Sequence, residues 1–266
     1  MYYKVKDTTY WLEKGGSGPA LLLFHGFTGS TSTWKAFIKK WQETFTVITI
    51  DLPGHGKTSS EIPITMKSFC EDVAEILQSF SLGKVHLLGY SMGGRTALSF
   101  ACLFPDLVNK LILESASPGL RTDEERMERQ KKDEKLAEMI ERDGVKAFVE
   151  YWEDIPLFET QKQMPLEKRQ AVRRERLLQS SAGLTMSLRN MGTGWQTSWW
   201  DHLEGLFVPT LLLVGAQDNK FMKINKNMHE SLPQSDFRIV EDAGHAIHVE
   251  QPEIFGNIVD EFLLER

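Results

Sequence analysis

The stretch that most constrains the fold of this 266-residue chain is Val85-His86-Leu87-Leu88-Gly89-Tyr90-Ser91-Met92-Gly93-Gly94-Arg95. An apolar run of strand length feeds Gly-x-Ser-x-Gly, and a helix-like stretch, Arg95 to Phe104, follows. Strand, sharp turn and helix are the context in which a serine is lifted on a strained turn above the edge of a sheet. Small residues must flank it where side chains would clash. The hydroxyl of Ser91 would then project from the turn, with the N–H of Met92 aimed at developing negative charge. A glycine-rich turn with an ordinary helix-starting serine shares the bare motif, so the reading depends on partners elsewhere in the chain.

The rest of the chain supplies a sheet for that turn. Ala20 to Phe24 is apolar throughout, as strands buried on both faces of a parallel sheet are, and it runs into the small-residue loop His25-Gly26-Phe27-Thr28-Gly29-Ser30. A helix over Trp34–Trp41, a strand over Phe45–Ile50, a turn cluster Asp51–Gly56 and a helix over Met66–Phe80 precede the Ser91 stretch. A strand over Leu107–Glu114 follows it. Residues 1–14 read as a short edge hairpin. The alternation resumes with a strand over Val208–Gly215, a helix over Phe221–Ser231, a strand over Asp236–Val240 and a final helix over Gln251–Leu264. This is an α/β pattern, a mostly parallel, doubly wound sheet with right-handed crossovers.

Residues 119–200 interrupt it. They hold almost no strand signal, a possible capping box at Thr122 and Glu125 opening a charged helix, and helical periods over Val145–Trp152, Leu166–Leu178 and Leu184–Asn190. Residues 121–200 carry 15 Lys+Arg against 15 Asp+Glu, so the chain's net charge of −6 resides outside them. The expected layout is an α/β core of residues 1–118 and 201–266 with an inserted all-helical lid of 119–200. Such a lid closes over the carboxyl ends of the strands, where sheets of this kind bind ligands.

The acidic balance, with a pI near 5.7, argues against general nucleic-acid binding while leaving room for a local basic pocket. Cys70 and Cys102 fall in apolar helical patterns without metal-ligand spacing and read as buried free thiols. The first residues lack the build of a signal peptide, and no apolar run approaches the ~18 residues of a membrane span. The expectation is a cytoplasmic protein without metal or organic cofactor, a monomer or weak homo-oligomer.

A serine nucleophile needs a histidine base and an acid to orient it. Of seven histidines, His245 follows one strand and precedes the last helix, which places it in a loop above the sheet; His248 is the weaker candidate. His25 and His55 sit in strand-end loops where they would fix turns, His86 lies inside a strand, His202 ends the lid and His229 is on an exposed helix. Asp218 ends the Leu211–Val214 strand, where it could equally be a plain helix cap. A second oxyanion donor belongs in the loop after Phe24, and the N–H of Phe27 fits.

The order Ser91, Asp218, His245 resembles the α/β-hydrolase superfamily over essentially the whole chain. Five segments resemble one family within it more closely: Gly89 to Arg95, Ser117-Pro118-Gly119-Leu120, Trp152, Asp218-Asn219-Lys220-Phe221 and Ala243 to His248. That is the MenH family of 2-succinyl-6-hydroxy-2,4-cyclohexadiene-1-carboxylate synthases of menaquinone biosynthesis, lyases that remove pyruvate from an enolpyruvyl cyclohexene precursor without an acyl-enzyme. The resemblance implies that Ser91 and His245 abstract a proton α to the succinyl ketone and that the oxyanion hole holds the enolate.

It also implies a substrate with three carboxylates, for which guanidinium is the natural partner. Arg95, one helical turn after Ser91, would bind it. Arg129 is the best lid match, with Arg126 one turn earlier as its rival. Arg176 is another match, with Arg169, Arg173 and Arg174 competing on the same helix. Tyr90 and Trp152 would pack on the ligand, Trp152 being equally suited to lid core.

Two other functions fit the motif. A hydrolase of esters or ring-fission C–C bonds would use the same three residues, but Arg95 and the lid arginines favour a polyanion. A ligand-sensing receptor on the same fold would need a partner surface on the lid, and no apolar patch suggests one. A haloalkane dehalogenase needs a carboxylate where Ser91 stands.

Overall fold

The computed structural model describes residues 1–265; Arg266, the last residue of the expected core range, lies outside them. The chain opens with β1 (Tyr2–Val5) and β2 (Thr8–Gly15), an antiparallel hairpin. It is only half an edge feature: the far end of β2 pairs antiparallel with β4, so β2 is an inner strand of the sheet. β3 (Ala20–Phe24) is buried at every position. A 3-10 turn at Thr31–Trp34 precedes α1 (Lys35–Trp41), and β4 (Thr46–Ile50) follows. A two-residue strand absent from the sequence pattern, β5 (Ser59–Ser60), pairs with β2. Then come α2 (Met66–Ser79), β6 (Val85–Tyr90), α3 (Met92–Leu103) and β7 (Val108–Glu114).

α3 begins at Met92, directly after Ser91, and not at Arg95 as the periodicity suggested. Gly93 and Gly94 blur a helical period without preventing a helix. A Cβ on Gly93 would lie 2.1 Å from the Phe24 carbonyl oxygen, and one on Gly89 2.2 Å from the Gly93 carbonyl oxygen. The motif glycines therefore let α3 lie directly on β3 and β6.

Between β7 and β8 the backbone is helical or irregular among the described residues. α4 (Asp123–Trp152) opens on the expected capping box: Thr122 Oγ1 accepts from the N–H of Glu125, and Glu125 accepts from the N–H of Thr122. Its two helical stretches meet at Gly144, whose φ of 80° breaks the helix and lets the Val145–Trp152 arm change direction. A 3-10 segment (Pro156–Gln163), α5 (Leu166–Leu177) and α6 (Ser181–Met191) complete the insertion. Its own small core is Ala137, Ile140, Phe148, Val149, Leu184 and Leu188.

The sheet resumes with β8 (Thr210–Gly215), α7 (Asn219–Ser231) and β9 (Ser235–Val240). The expected last helix is two: α8 (Ile247–Glu250) and, from Pro252, α9 (Pro252–Leu264). The order is β1-β2-β4-β3-β6-β7-β8-β9, in which the pairs β4-β3, β3-β6, β6-β7, β7-β8 and β8-β9 are parallel. One core packs Phe69, Leu98 and Phe100 of α2 and α3 on one face; the other packs Trp34, Trp41 and Phe255 beside α1 and α9. Each such side chain contributes roughly 2–3 kcal/mol by burial, so both faces fix the sheet strongly. Strand order reverses between β3 and β6, and ligands of doubly wound sheets bind outside the carboxyl ends at that point.

Candidate active site

Ser91 follows β6 with φ 50° and ψ −107°, a conformation rare for a residue with a side chain. The turn is held because its N–H donates to the Glu114 carbonyl at 2.9 Å and its carbonyl accepts from Arg95 N–H at 2.9 Å. Two further strand ends bring the other groups to it. Asp218 ends the turn after β8, and His245 the loop after β9. Ser91 Oγ lies 3.0 Å from Nε2 of His245, and Nδ1 of His245 lies 2.7 Å from Oδ2 of Asp218. The other carboxylate oxygen, Oδ1, accepts from the N–H of Phe221 at 3.2 Å, so Asp218 caps α7 and orients the imidazole at once. The Phe221 ring lies 4.6 Å from the imidazole.

This chain of bonds leaves Nδ1 of His245 protonated toward Asp218 and Nε2 free to accept the Ser91 proton, the tautomer proton abstraction requires. Half-buried Glu250 accepts from the N–H groups of Gly244 and Ala246, at 2.7 and 3.1 Å, on either side of His245.

The N–H of Met92 starts α3, and that of Phe27 lies in the turn after β3; neither donates to another group among the described residues. Two buried histidines brace the Phe27 turn. The N–H of Leu52 donates to Nε2 of His25 at 2.9 Å, and the N–H of Thr28 to Nε2 of His55 at 3.1 Å. Each ring's Nδ1–H faces a carbonyl, Gly26 at 2.8 Å and Pro53 at 3.1 Å. Burial holds His25 at about 4 and His55 at about 3, so both stay neutral. They fix turns, as expected from their strand-end positions.

The arginines separate into two poles. Arg95, 8% exposed, donates to the Met191 carbonyl and to Oε1 of Gln196 at 2.7 Å, joining α3 to the end of α6. Burial, and then the nearby Arg129, push its guanidinium down to about 9. Arg129 donates from Nε to Oδ1 of buried Asp133 at 2.8 Å. Burial raises the Asp133 carboxyl, against the pull of Arg129, and its Oδ2 has no partner among the described residues. Lys220, beside Asp218, is pushed down by burial and then by Arg129. Arg95 and Arg129 thus share the Asp133 carboxylate, while Lys220 lies nearer Asp218. Arg126 turns away, bonded to Asp123 and the Leu120 carbonyl at the start of α4.

The second pole is Arg176, 5% exposed, lying over the Phe158 ring at 4.7 Å and donating to Oε1 of Gln161 at 3.1 Å. Burial pushes its guanidinium down. Its rivals lie elsewhere: Arg169 and Arg174 are exposed, and Arg173 pairs with Glu150 and Glu153. A cleft of about 420 Å³ reaches Phe27, Tyr90, Phe158, Gln161, Arg176 and His248. Another of about 430 Å³, lined by Lys162, Arg169 and Arg173, lies within the lid away from Ser91. Tyr90 lies against His245 at 5.5 Å. Trp152 packs on Phe27 at 5.6 Å and on Phe158 at 5.9 Å, with its buried indole N–H unpartnered among the described residues.

Sequence reasoning missed Gln161, Gln196, Phe158, Asp133 and Glu250. Asp133 had a readable signal, since it follows Arg129 by four residues, a facing pair on a helix. The rest are identified only by where the lid and the last loop dock. Cys102 is half-buried and only Cys70 is fully buried. Among the described residues no cluster of three or more His, Cys, Asp or Glu could hold a metal, and no helix is long and apolar enough to cross a membrane.

A parallel sheet with a helical insertion and a Ser-His-Asp chain at its carboxyl edge defines a class, and residues 19–252 match the profile of the α/β-hydrolase fold. The chain belongs to the α/β-hydrolase fold family. Within it the chain belongs with the 2-succinyl-6-hydroxy-2,4-cyclohexadiene-1-carboxylate synthases. It is 46% identical to a Bacillus subtilis (strain 168) protein carrying that name provisionally, over 94% of this chain and 92% of that protein. MenH from S. aureus superposes with a TM-score of 0.91 at 35% identity, over 96% of this chain and 97% of that one. A thermophilic esterase from Thermogutta terrifontis, solved with malate bound, superposes with a TM-score of 0.84 at 30% identity, over 96% and 93%.

Proposed function

We propose that this chain is a carbon–oxygen lyase that eliminates pyruvate from 2-succinyl-5-enolpyruvyl-6-hydroxy-3-cyclohexene-1-carboxylate, giving 2-succinyl-6-hydroxy-2,4-cyclohexadiene-1-carboxylate for menaquinone biosynthesis. The observation that carries the reading beyond a generic hydrolase is the pair of buried arginines, Arg95 on the helix that starts after Ser91 and Arg176 in the cleft that Tyr90 lines. Arg95, Arg129 and Lys220 form one group, and Arg176 beside Gln161 and Phe158 forms the other, more positive charge than a neutral ester needs.

Bound carboxylates would offset the charge of buried Arg95 and Arg176 and fix the substrate between them. His245, oriented by Asp218, draws the proton from Ser91, whose oxygen takes a proton α to the succinyl ketone. The enolate oxygen is held by the N–H groups of Phe27 and Met92. Its electrons re-form the ketone, shift the ring double bond and expel the enolpyruvyl oxygen as pyruvate enolate, which takes up the proton held by His245, leaving Ser91 with the proton it took from the substrate. Tyr90 and Trp152 form the apolar walls, and the Trp152 N–H is available to the ligand. The substrate is a small polyanion, and two free thiols suit a reducing cytoplasm.

The second reading, an esterase, rests on the same Ser-His-Asp chain. Mass analysis of the ring product separates the two. Elimination yields a diene one water lighter than the product of hydrolytic cleavage; appearance of the hydrated ring would overturn the lyase reading.

A further inference from the structure

Glu114 ends β7 with no exposed surface, and the Ser91–His245–Asp218 chain does not include it. It nevertheless bonds to the segments that carry Ser91 and His245. Its main-chain carbonyl accepts the N–H of Ser91 at 2.9 Å. Its carboxylate accepts the main-chain N–H of His248 at 3.0 Å and the Nδ1–H of the same residue at 2.9 Å from both oxygens. His248 lies three residues after His245, in the short helix α8 that the His245 loop runs into, and its ring stands edge-on to Tyr90, the neighbour of Ser91, at 4.6 Å. Trp34 closes the other side at 5.1 Å.

Taking a carboxylate out of water costs several kcal/mol, and two aliphatic side chains of this volume would join β7 to α8 at lower cost. What they could not supply is direction. One carboxylate bonded to two N–H groups of one residue fixes its backbone and its ring together, through charge-assisted bonds. The turn that carries His245 therefore cannot slide along the sheet edge without breaking them. Because the same residue also holds the N–H of Ser91, the spacing of the two reacting segments is referred to one point. A shift of about 1 Å in such a pair costs roughly 100-fold in rate, so a group that sets the register has a kinetic effect without touching substrate.

We propose that Glu114 and His248 are positioning residues that hold the elbow of Ser91 and the turn of His245 in hydrogen-bond register. This rests on the reading of Ser91 and His245 as the proton-abstracting pair.

The test uses the full chain with Glu114→Leu, Glu114→Gln, His248→Gln, the Glu114→Leu/His248→Gln double variant and Ser91→Ala. Four quantities are measured: kcat and KM for pyruvate release, the melting midpoint, and the rate at which an alkyl phosphonofluoridate labels Ser91. That label reports the Ser91–His245 register without the substrate. Glu114→Leu should lower kcat and labelling together by about 10-fold or more at a KM within about two-fold of the original. Glu114→Gln keeps an acceptor for both His248 N–H groups and should recover most of the loss. The double variant should be no slower than the slower single one, as expected for two members of one contact.

Folded variants that keep kcat and labelling within about two-fold would overturn the proposal. So would a rise in KM at constant kcat, which would make His248 a substrate contact. If Glu114→Leu does not fold, Glu114→Gln and His248→Gln decide by the same criteria. An active Ser91→Ala protein would instead overturn the reading of the pair itself, whatever Glu114 does.

Discussion

Ser91 Oγ and His245 Nε2 lie 3.0 Å apart although 154 residues separate them in the chain. The pair is assembled by β6 and the loop after β9, which place the two groups in one hydrogen bond. Replacement of either should therefore cost about 10³-fold or more in kcat for pyruvate release, and the double replacement no more than the worse single one. Additive losses would show that the two act independently.

Arg95 is a buried cation whose partners are the neutral Met191 carbonyl and Gln196. An anion that binds beside it should stabilise the fold, as any ligand of the native state does. We expect a substrate-like tricarboxylate to raise the melting midpoint, and Arg95→Ala to remove most of that rise while increasing KM. An equal rise in the variant would assign the carboxylates to other residues.

Much of this was legible in the sequence. β3, β6, β7 and β8 are apolar runs that only a sheet covered on both faces can bury, and Ser91 and Asp218 each follow such a run, whereas His245 follows the more polar edge strand β9. Arg176 was legible only as one of four arginines, because a helix presents charges at similar spacing all round. What singles it out is the docking of α5, where Gln179 reaches the Gly29 carbonyl and the Gly56 N–H, each at 3.0 Å. Gln161 and Phe158 lie in a segment without helical period, so nothing in the sequence aimed them at Arg176.

That docking has a second anchor. Glu175 Oε1 accepts hydroxyl bonds from Ser30, Ser32 and Thr33 at 2.8, 2.9 and 3.0 Å, next to the residue that forms the second cationic pole. Glu175→Ala should loosen α5, speed amide exchange over 166–177 and raise KM several-fold with little change in kcat. Unchanged exchange would mean that the lid is held elsewhere.

His25 and His55 make the fold acid-sensitive. Burial keeps them at about 4 and 3, below their ordinary 6.5, so the unfolded chain binds protons that the folded one refuses. Their contribution is complete above about pH 6.5 and is lost as pH falls toward 4, at about 1.4 kcal/mol per pH unit for each. Urea unfolding of His55→Gln between pH 4.5 and 6 should show a slope shallower by that amount; a parallel line would contradict the assignment.

The central claim is that Ser91 serves elimination, not attack on a carbonyl. The most direct measurement compares turnover of the enolpyruvyl substrate with cleavage of a nitrophenyl ester by the same purified protein. Pyruvate release should be faster by orders of magnitude. Rapid ester cleavage with no pyruvate would contradict the claim and return the site to hydrolysis.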